Sequence, residues 1–210
     1  MIKNIIFDLG DVFIDLDHSG SREELLKLGI KKFSDEMMTM NHQYDKGLVS
    51  TSEFVAYYTN IFSDKTSDEL IDSWNSILID FPKQRLTFLE NLPNKFRLFL
   101  LSNTNELHIT YFKSQVGYDF YSRFVNCFEK IYYSYKINRS KPDKKAFQLI
   151  LDQNNLNASE TLFIDDRMLN TESAGKLGME TWCINPKQEE VVDLFTVKSD
   201  LFGGEEVKTL

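Results

Sequence analysis

Cysteine is scarce: the 210 residues hold two, Cys127 and Cys183, 56 positions apart. No CxxC and no Cys/His spacing occurs, so a disulfide framework and a structural zinc site are both excluded, and both thiols are expected to be buried and inert. Three histidines, His18, His42 and His108, show no ligand spacing either. Nine Gly and four Pro are too few for a collagenous or low-complexity chain. No apolar run reaches the roughly 18 residues of a membrane span. The opening MIKNIIFDLG holds only a three-residue apolar run before Asp8, so a secretory leader is not expected and the expected location is the cytoplasm. Positive charge is in deficit, with 24 Lys+Arg against 32 Asp+Glu, a net charge of −8. Without a basic field, neither nucleic acid nor a membrane is an expected partner.

What the chain does have is core-forming material: 42% hydrophobic and 13% aromatic residues, enough for one large domain or a core with a smaller companion. Ile2 to Phe7 is an apolar, β-rich run that closes on Asp8-Leu9-Gly10-Asp11, the pattern of a buried strand delivering a carboxylate at its end. Phe96 to Leu101 runs likewise into Ser102-Asn103-Thr104-Asn105, and Thr161 to Ile164 into Asp165-Asp166. Lys130–Ser134 and Glu180–Ile184 are weaker strand patterns. Helical patterns cover roughly Glu106–Gln115, Lys144–Asn154, Leu169–Lys176 and Glu189–Phe195. This alternation predicts an α/β fold, a Rossmann-like, doubly wound parallel sheet whose ligand crevice lies at the carboxyl ends of the strands. All three polar clusters would sit at such ends.

Asp8 and Ser102 are 94 positions apart, whereas one βαβ crossover needs about 30 residues. Residues 20–80 carry helical stretches near Arg22–Leu28, Ser52–Asn60 and Ser67–Leu78 and no convincing strand. The expected organisation is a core of residues 1–17 and 83–210 with a small helical cap inserted at 18–82. The Phe-rich stretch Phe120–Phe128 reads as core, and Gly203–Leu210 as a mobile tail.

Carboxylates at two strand ends, a hydroxyl–amide pair at a third and a lysine at Lys141 form a kit for phosphoryl transfer. Carboxylates hold Mg²⁺ through hard oxygens, the metal offsets phosphate charge, and Ser102, Asn103 and Lys141 can bind phosphate oxygens. FDLGDVFID around Asp8, LSNTN around Ser102, SKPD around Lys141 and FIDDRMLN around Asp166 resemble, in order, the four motifs of the haloacid dehalogenase superfamily. The likeness is greatest to its glucose-1-phosphatase-like branch and to the phosphatase domain of soluble epoxide hydrolases, and spans about residues 1 to 185.

The resemblance implies a capped Rossmann-like core and a Mg²⁺-dependent phosphatase acting on a small phosphorylated metabolite, a sugar 1-phosphate being favoured, as a monomer or weak homodimer. Asp8 would be the nucleophile and a metal ligand, Gly10 a metal ligand through its carbonyl, Ser102 and Asn103 the phosphate binders, and Lys141 the group that steadies nucleophile and phosphate. On the GDxxxD overlay Asp166 is the direct metal ligand, Asp165 the weaker candidate, and Asn170 falls on the later acidic position.

Two departures stand out. The family's phosphatases usually carry a proton-donating Asp two residues after the nucleophile, where this chain has Gly10; the close branch also tends to glycine there, and neither Asp11 nor Asp15 has the right offset. Asn138 stands where relatives commonly have glycine, and Asn tolerates left-handed backbone. Two other functions compete: a metal-independent haloacid dehalogenase, against which the Asp165-Asp166 pair counts, and a non-catalytic phosphate sensor, which Gly10 keeps open. His18, His42 and Tyr44 in the insert read as ordinary surface or satisfied residues, with substrate contact as the alternative.

Overall fold

A computed structural model describes residues 1–202; the tail expected from Gly203 lies outside the described residues. In chain order the elements are β1 (Asn4–Phe7), β2 (Asp15–Leu16), α1 (His18–Lys27), α2 (Asp35–Asp45), α3 (Thr51–Ile61), α4 (Ser67–Asn75), β3 (Leu78–Asp80), α5 (Lys83–Glu90), β4 (Arg97–Ser102), α6 (Glu106–Asn126), β5 (Lys130–Tyr133), α7 (Ser134–Ile137), α8 (Lys144–Asn154), β6 (Thr161–Asp165), α9 (Met168–Gly175), β7 (Glu180–Cys183) and α10 (Leu194–Val197).

Five parallel strands pair in the order β5-β4-β1-β6-β7. The chain builds one half of the sheet to one side of β1 and the other half to the other, so the direction of winding reverses at β1. Such a switch point opens a crevice at the strand's carboxyl end. Register sets what lines it: Phe7 pairs with Leu100 and with Ile164, which puts Asp8 level with Leu101 and Asp165.

Both sheet faces are covered, as parallel sheets require. Side chains alternate across the pleat: Ile5, Phe7, Leu98, Leu100, Leu162 and Ile164 face one core with Phe13, Phe81, Phe112, Phe124 and Phe128. Ile6, Phe99, Leu101 and Phe163 face the other, with Phe147 and Ile150 of α8. Aromatic rings around Phe13 and Phe124 meet mostly edge to face, so Phe120–Phe128 is core, as the sequence suggests.

Helices α1–α4 assemble around a separate apolar cluster of Leu28, Ile30, Met37, Tyr44, Phe54, Tyr58 and Leu70. Ser50–Glu53 and Thr66–Glu69 form capping boxes that start α3 and α4. The chain enters this bundle through β2 and leaves through β3, and those two strands pair antiparallel. Buried Arg85 secures that ribbon, donating to the Phe13 carbonyl (3.2 Å), Asp15 Oδ1 (2.7 Å) and Glu190 (3.0 Å).

The structure corrects several sequence expectations. Residues 20–80 do contain a strand, β3; it is three residues long with Ile79 exposed, too short to alternate visibly. Helices α2 and α5 were not expected. Glu106–Gln115 is only the first half of α6, which continues past a break at Gly117 (φ 78°). Glu189–Phe195 is a 3₁₀ turn at Val191–Asp193 followed by α10. Cys127 is buried, and burial pushes its thiol up to about 11. Cys183 is exposed rather than buried, because β7 is an edge strand whose alternation turns Trp182 inward and Cys183 out.

Among the described residues no helix is long and apolar enough to cross a membrane.

Candidate active site

Asp8 leaves the end of β1 with its backbone N–H donating to the Ile164 carbonyl (2.9 Å). Its Oδ1 accepts from the Leu9 N–H (2.7 Å) and meets Lys141 Nζ at 2.7 Å. Oδ2 has no protein donor among the described residues, so the two oxygens are chemically distinct. Lys141, 3% exposed, also reaches Asp165 Oδ2 at 2.6 Å. One ammonium thus bridges the ends of β1 and β6.

Asp165 is fully enclosed and its oxygens are occupied: Oδ1 accepts from the Arg167 N–H (2.9 Å) and Asn170 Nδ2 (2.8 Å), and Oδ2 from Asn170 Nδ2 (3.0 Å) besides Lys141. Asp166 is half-buried, and among the described residues its carboxylate meets only its own backbone N–H as a donor. Ser102 is buried at the end of β4, with a hydroxyl likewise unclaimed. Asn103 is exposed and its side chain is already engaged: Nδ2 donates to the Lys141 carbonyl (2.8 Å) and Oδ1 accepts from the Lys141 N–H (2.9 Å). Its amide therefore shapes the lysine loop.

Electrostatics follow from burial. Desolvation pushes the Asp8 carboxyl up to about 7, with Lys141 opposing and Asp165 adding to the rise. Burial alone would lower Lys141, but Asp8 and Asp165 outweigh it and hold the ammonium up. Asp166 is raised, first by burial and then by Asp165 and Asp11. Oxygens of Asp8, Asp165 and Asp166 lie within 4.8 Å of one another. With all three carboxylates ionised, they exceed the one ammonium by two negative charges, and the free oxygen of Asp8 and the Asp166 carboxylate are hard donors. A hard divalent cation fits this cluster in charge and in ligand type.

Gly10 lies outside the left-handed region, and a Cβ there would come within 2.9 Å of Leu16 Cδ1, the tip of a flexible side chain. Asp11 is left-handed (φ 53°) and points its carboxylate at the Leu16 N–H (3.2 Å) and His18 Nε2 (3.0 Å). His42 is exposed, and Tyr44 is a buried member of the α1–α4 core, stacked on Phe54. Asn138 adopts the left-handed backbone that its type allows (φ 53°).

Sequence reasoning missed a polar group beside the site. Asn105 Nδ2 donates to Asp45 Oδ1 (3.0 Å), across the seam between α2 and the loop after β4. Buried Ser134 Oγ accepts from the Thr104 N–H (2.9 Å), and its one proton has two acceptors in reach, the Asp45 carbonyl (2.6 Å) and the Thr104 carbonyl (2.9 Å). Desolvation raises the Asp45 carboxyl, with Asn105 opposing. These partners are 60 and 89 positions apart in sequence, beyond any local motif.

His108 crosses the same seam, stacked on Trp74 with Nε2 donating to the Trp74 carbonyl (3.1 Å). Burial lowers it to about 4, the Trp74 carbonyl opposing. The neutral ring is favoured in the folded protein, so its contribution to stability is complete above the unfolded pKa of about 6.5 and is lost as pH falls from there toward 4. Urea unfolding of the wild type should therefore weaken over this window by up to about 3 kcal/mol more than that of His108→Gln. Parallel pH profiles for the two proteins would contradict this.

A profile of the family described as haloacid dehalogenase-like hydrolase matches residues 5–184. D-ribitol-5-phosphate phosphatase of Bacteroides thetaiotaomicron is 28% identical over 189 residues, covering 87% of this chain and 91% of that one. A haloacid dehalogenase family enzyme from the same organism, crystallised as a magnesium complex, superposes with a TM-score of 0.84 at 31% identity, covering 92% of this chain and 98% of that one. A haloacid dehalogenase-like hydrolase from Porphyromonas gingivalis superposes with a TM-score of 0.79 at 27% identity, covering 96% and 98%.

Proposed function

Because the chain belongs to the haloacid dehalogenase-like hydrolases, we propose that it is a Mg²⁺-dependent phosphatase of small phosphorylated metabolites that carries the phosphoryl group on Asp8, with residues 1–17 and 83–210 as catalytic core and 18–82 as cap. The observation that carries this reading is Asp8 itself: it stands at the switch point of the sheet, with Lys141 on one oxygen and, among the described residues, no protein donor on the other.

Asp8, Asp166 and the Gly10 carbonyl would hold the metal, whose positive charge, when bound, screens the phosphate oxygens from the attacking carboxylate. The chain's own residues do the rest. Ser102 donates its unclaimed hydroxyl to a phosphate oxygen, and Lys141 adds charge while fixing the rotamer of Asp8. Asn103 holds the backbone of Lys141 at both its N–H and its carbonyl. An oxygen of Asp8 attacks phosphorus, and the bond to the leaving oxygen breaks with its electron pair, that oxygen then taking a proton from solvent. Water next attacks phosphorus, loses its proton to solvent, and Asp8 departs as carboxylate with inorganic phosphate released.

Turnover of p-nitrophenyl phosphate with Mg²⁺, abolished by a chelator, tests the reading. Chelator-resistant release of halide from a 2-haloacid would establish the dehalogenase instead, and phosphate binding without turnover would establish a sensor. Within the site, Asp166→Asn should weaken Mg²⁺ affinity in calorimetric titration more than Asp165→Asn does, because both oxygens of Asp165 are already committed to Lys141, Asn170 and the Arg167 N–H. The reverse order would move the ligand role to Asp165.

Gly10 bears on the substrate. With no acid at this position, general-acid help worth about 10²- to 10⁴-fold is missing, and esters with good leaving groups should be favoured, a sugar 1-phosphate over a primary alkyl phosphate. The ribitol 5-phosphate named for a relative is such a primary ester and supports the second reading, a polyol phosphate. The deciding measurement is kcat/KM for glucose 1-phosphate, glucose 6-phosphate and ribitol 5-phosphate in wild type and in Gly10→Asp. The substitution needs only the Leu16 tip to turn aside, and it should help the two primary esters more than the 1-phosphate. A wild-type preference for the primary esters would contradict the leaving-group argument.

A further inference from the structure

Besides the contacts that Glu106, Leu107 and His108 of α6 make with Thr51, Tyr44 and Trp74, the bundle α1–α4 is attached to the sheet domain at two places. One is the β2–β3 ribbon through which the chain enters and leaves. The other is the turn at the end of α2, Asp45-Lys46-Gly47, which is held by two core loops at once. Asn105, at the end of the loop that follows Ser102, donates to the Asp45 carboxylate. Asn138, three residues before Lys141, donates to the Lys46 carbonyl (2.8 Å). Ser134 Oγ lies between the Asp45 carbonyl (2.6 Å) and the N–H and carbonyl of Thr104 (both 2.9 Å), bonding the turn to the loop. Gly47 is left-handed (φ 64°), and a Cβ there would lie 1.9 Å from the Tyr135 carbonyl oxygen, so the turn is pressed directly onto the core backbone.

The loops that grip this turn are the two that carry the phosphate-binding groups of the function proposed above. We infer that Asp45 and Asn105 are positioning residues: seating the α2 turn between the two loops sets Ser102 and Lys141 in their phosphate-binding arrangement. Neither residue touches phosphate. Their effect reaches it through Thr104 and the Asn138–Lys141 segment, so unseating the turn loosens both loops together. A purely structural contact would change stability alone; this one also changes the affinity of the folded protein for phosphate.

The test is a charge swap on the full chain with Mg²⁺ present, reading the Kd of inorganic phosphate by calorimetry and kcat and KM for p-nitrophenyl phosphate. Asn105→Asp sets two carboxylates against each other while keeping the acceptor that caps α6. Loss of one hydrogen bond to a charged group corresponds to about tenfold weaker phosphate binding with a matching rise in KM. Asp45→Asn combined with Asn105→Asp rebuilds the bond with donor and acceptor exchanged and should bring both constants back to near wild type. Gly47→Ala unseats the turn sterically without altering a polar group and should reproduce the weakened binding, which keeps the inference testable if Asn105→Asp does not fold. Folded single variants that bind phosphate like wild type would overturn the inference, as would a folded double variant with no recovery. A wild type that neither binds phosphate nor hydrolyses the ester would instead overturn the proposed function.

Discussion

Asp8→Asn is expected to reduce turnover by on the order of 10⁴-fold or more, the scale seen when a covalent nucleophile is removed, while the protein stays folded. An amide is a poor nucleophile and a poor anionic ligand, so both the attack on phosphorus and the Mg²⁺ affinity should suffer. The fold should survive because Lys141 keeps its bond to Asp165 at 2.6 Å, and one charge leaves a cluster in which negative charge is in excess. Thermal unfolding of the metal-free variant should match or exceed that of wild type, since burial of the Asp8 carboxylate is already unfavourable. Steady-state turnover close to wild type would remove Asp8 from the chemistry.

Lys141→Met should be the most damaging change to both activity and stability. The ammonium is enclosed and is the cation shared by Asp8 and Asp165. Removing one partner of a buried ion pair leaves an uncompensated charge and costs about 3–5 kcal/mol. Methionine matches the lysine stem in volume, so the loss measured by urea unfolding reports charge rather than a cavity. Added Mg²⁺ should recover part of it by neutralising the same carboxylates. A folded variant within about 1 kcal/mol of wild type, the range of ordinary surface pairs, would show that Asp8 and Asp165 do not depend on this lysine.

The strands that carry the site were legible because buried parallel strands are apolar throughout and end abruptly in polar residues, as at Phe7-Asp8, Leu101-Ser102 and Ile164-Asp165. Their convergence followed from the rule that places crevices at switch points. The atoms each side chain presents were not legible: Asn103 lies beside the lysine loop, but only the fold shows its amide turned onto the backbone of Lys141. The Asp45–Asn105 contact was invisible because it joins a helix end in the insert to a loop 60 positions away. Helix α2 was hidden by its composition, since DEMMTMNHQYD offers methionines without a clean apolar stripe and buries only Met37 and Tyr44. The exposure of Cys183 is not readable from the sequence, because edge position is a property of the assembled sheet.

Transfer of phosphoryl to Asp8 is tested by acid quench of the wild-type enzyme during turnover of a phosphate ester with Mg²⁺, followed by mass spectrometry of the peptide that contains Asp8. One phosphoryl group is expected on Asp8, absent from the Asp8→Asn protein and absent when the chelator is added first. Release of inorganic phosphate at full rate, with Asp8 unmodified at every quench time and the phosphoryl group found on another residue, would contradict it.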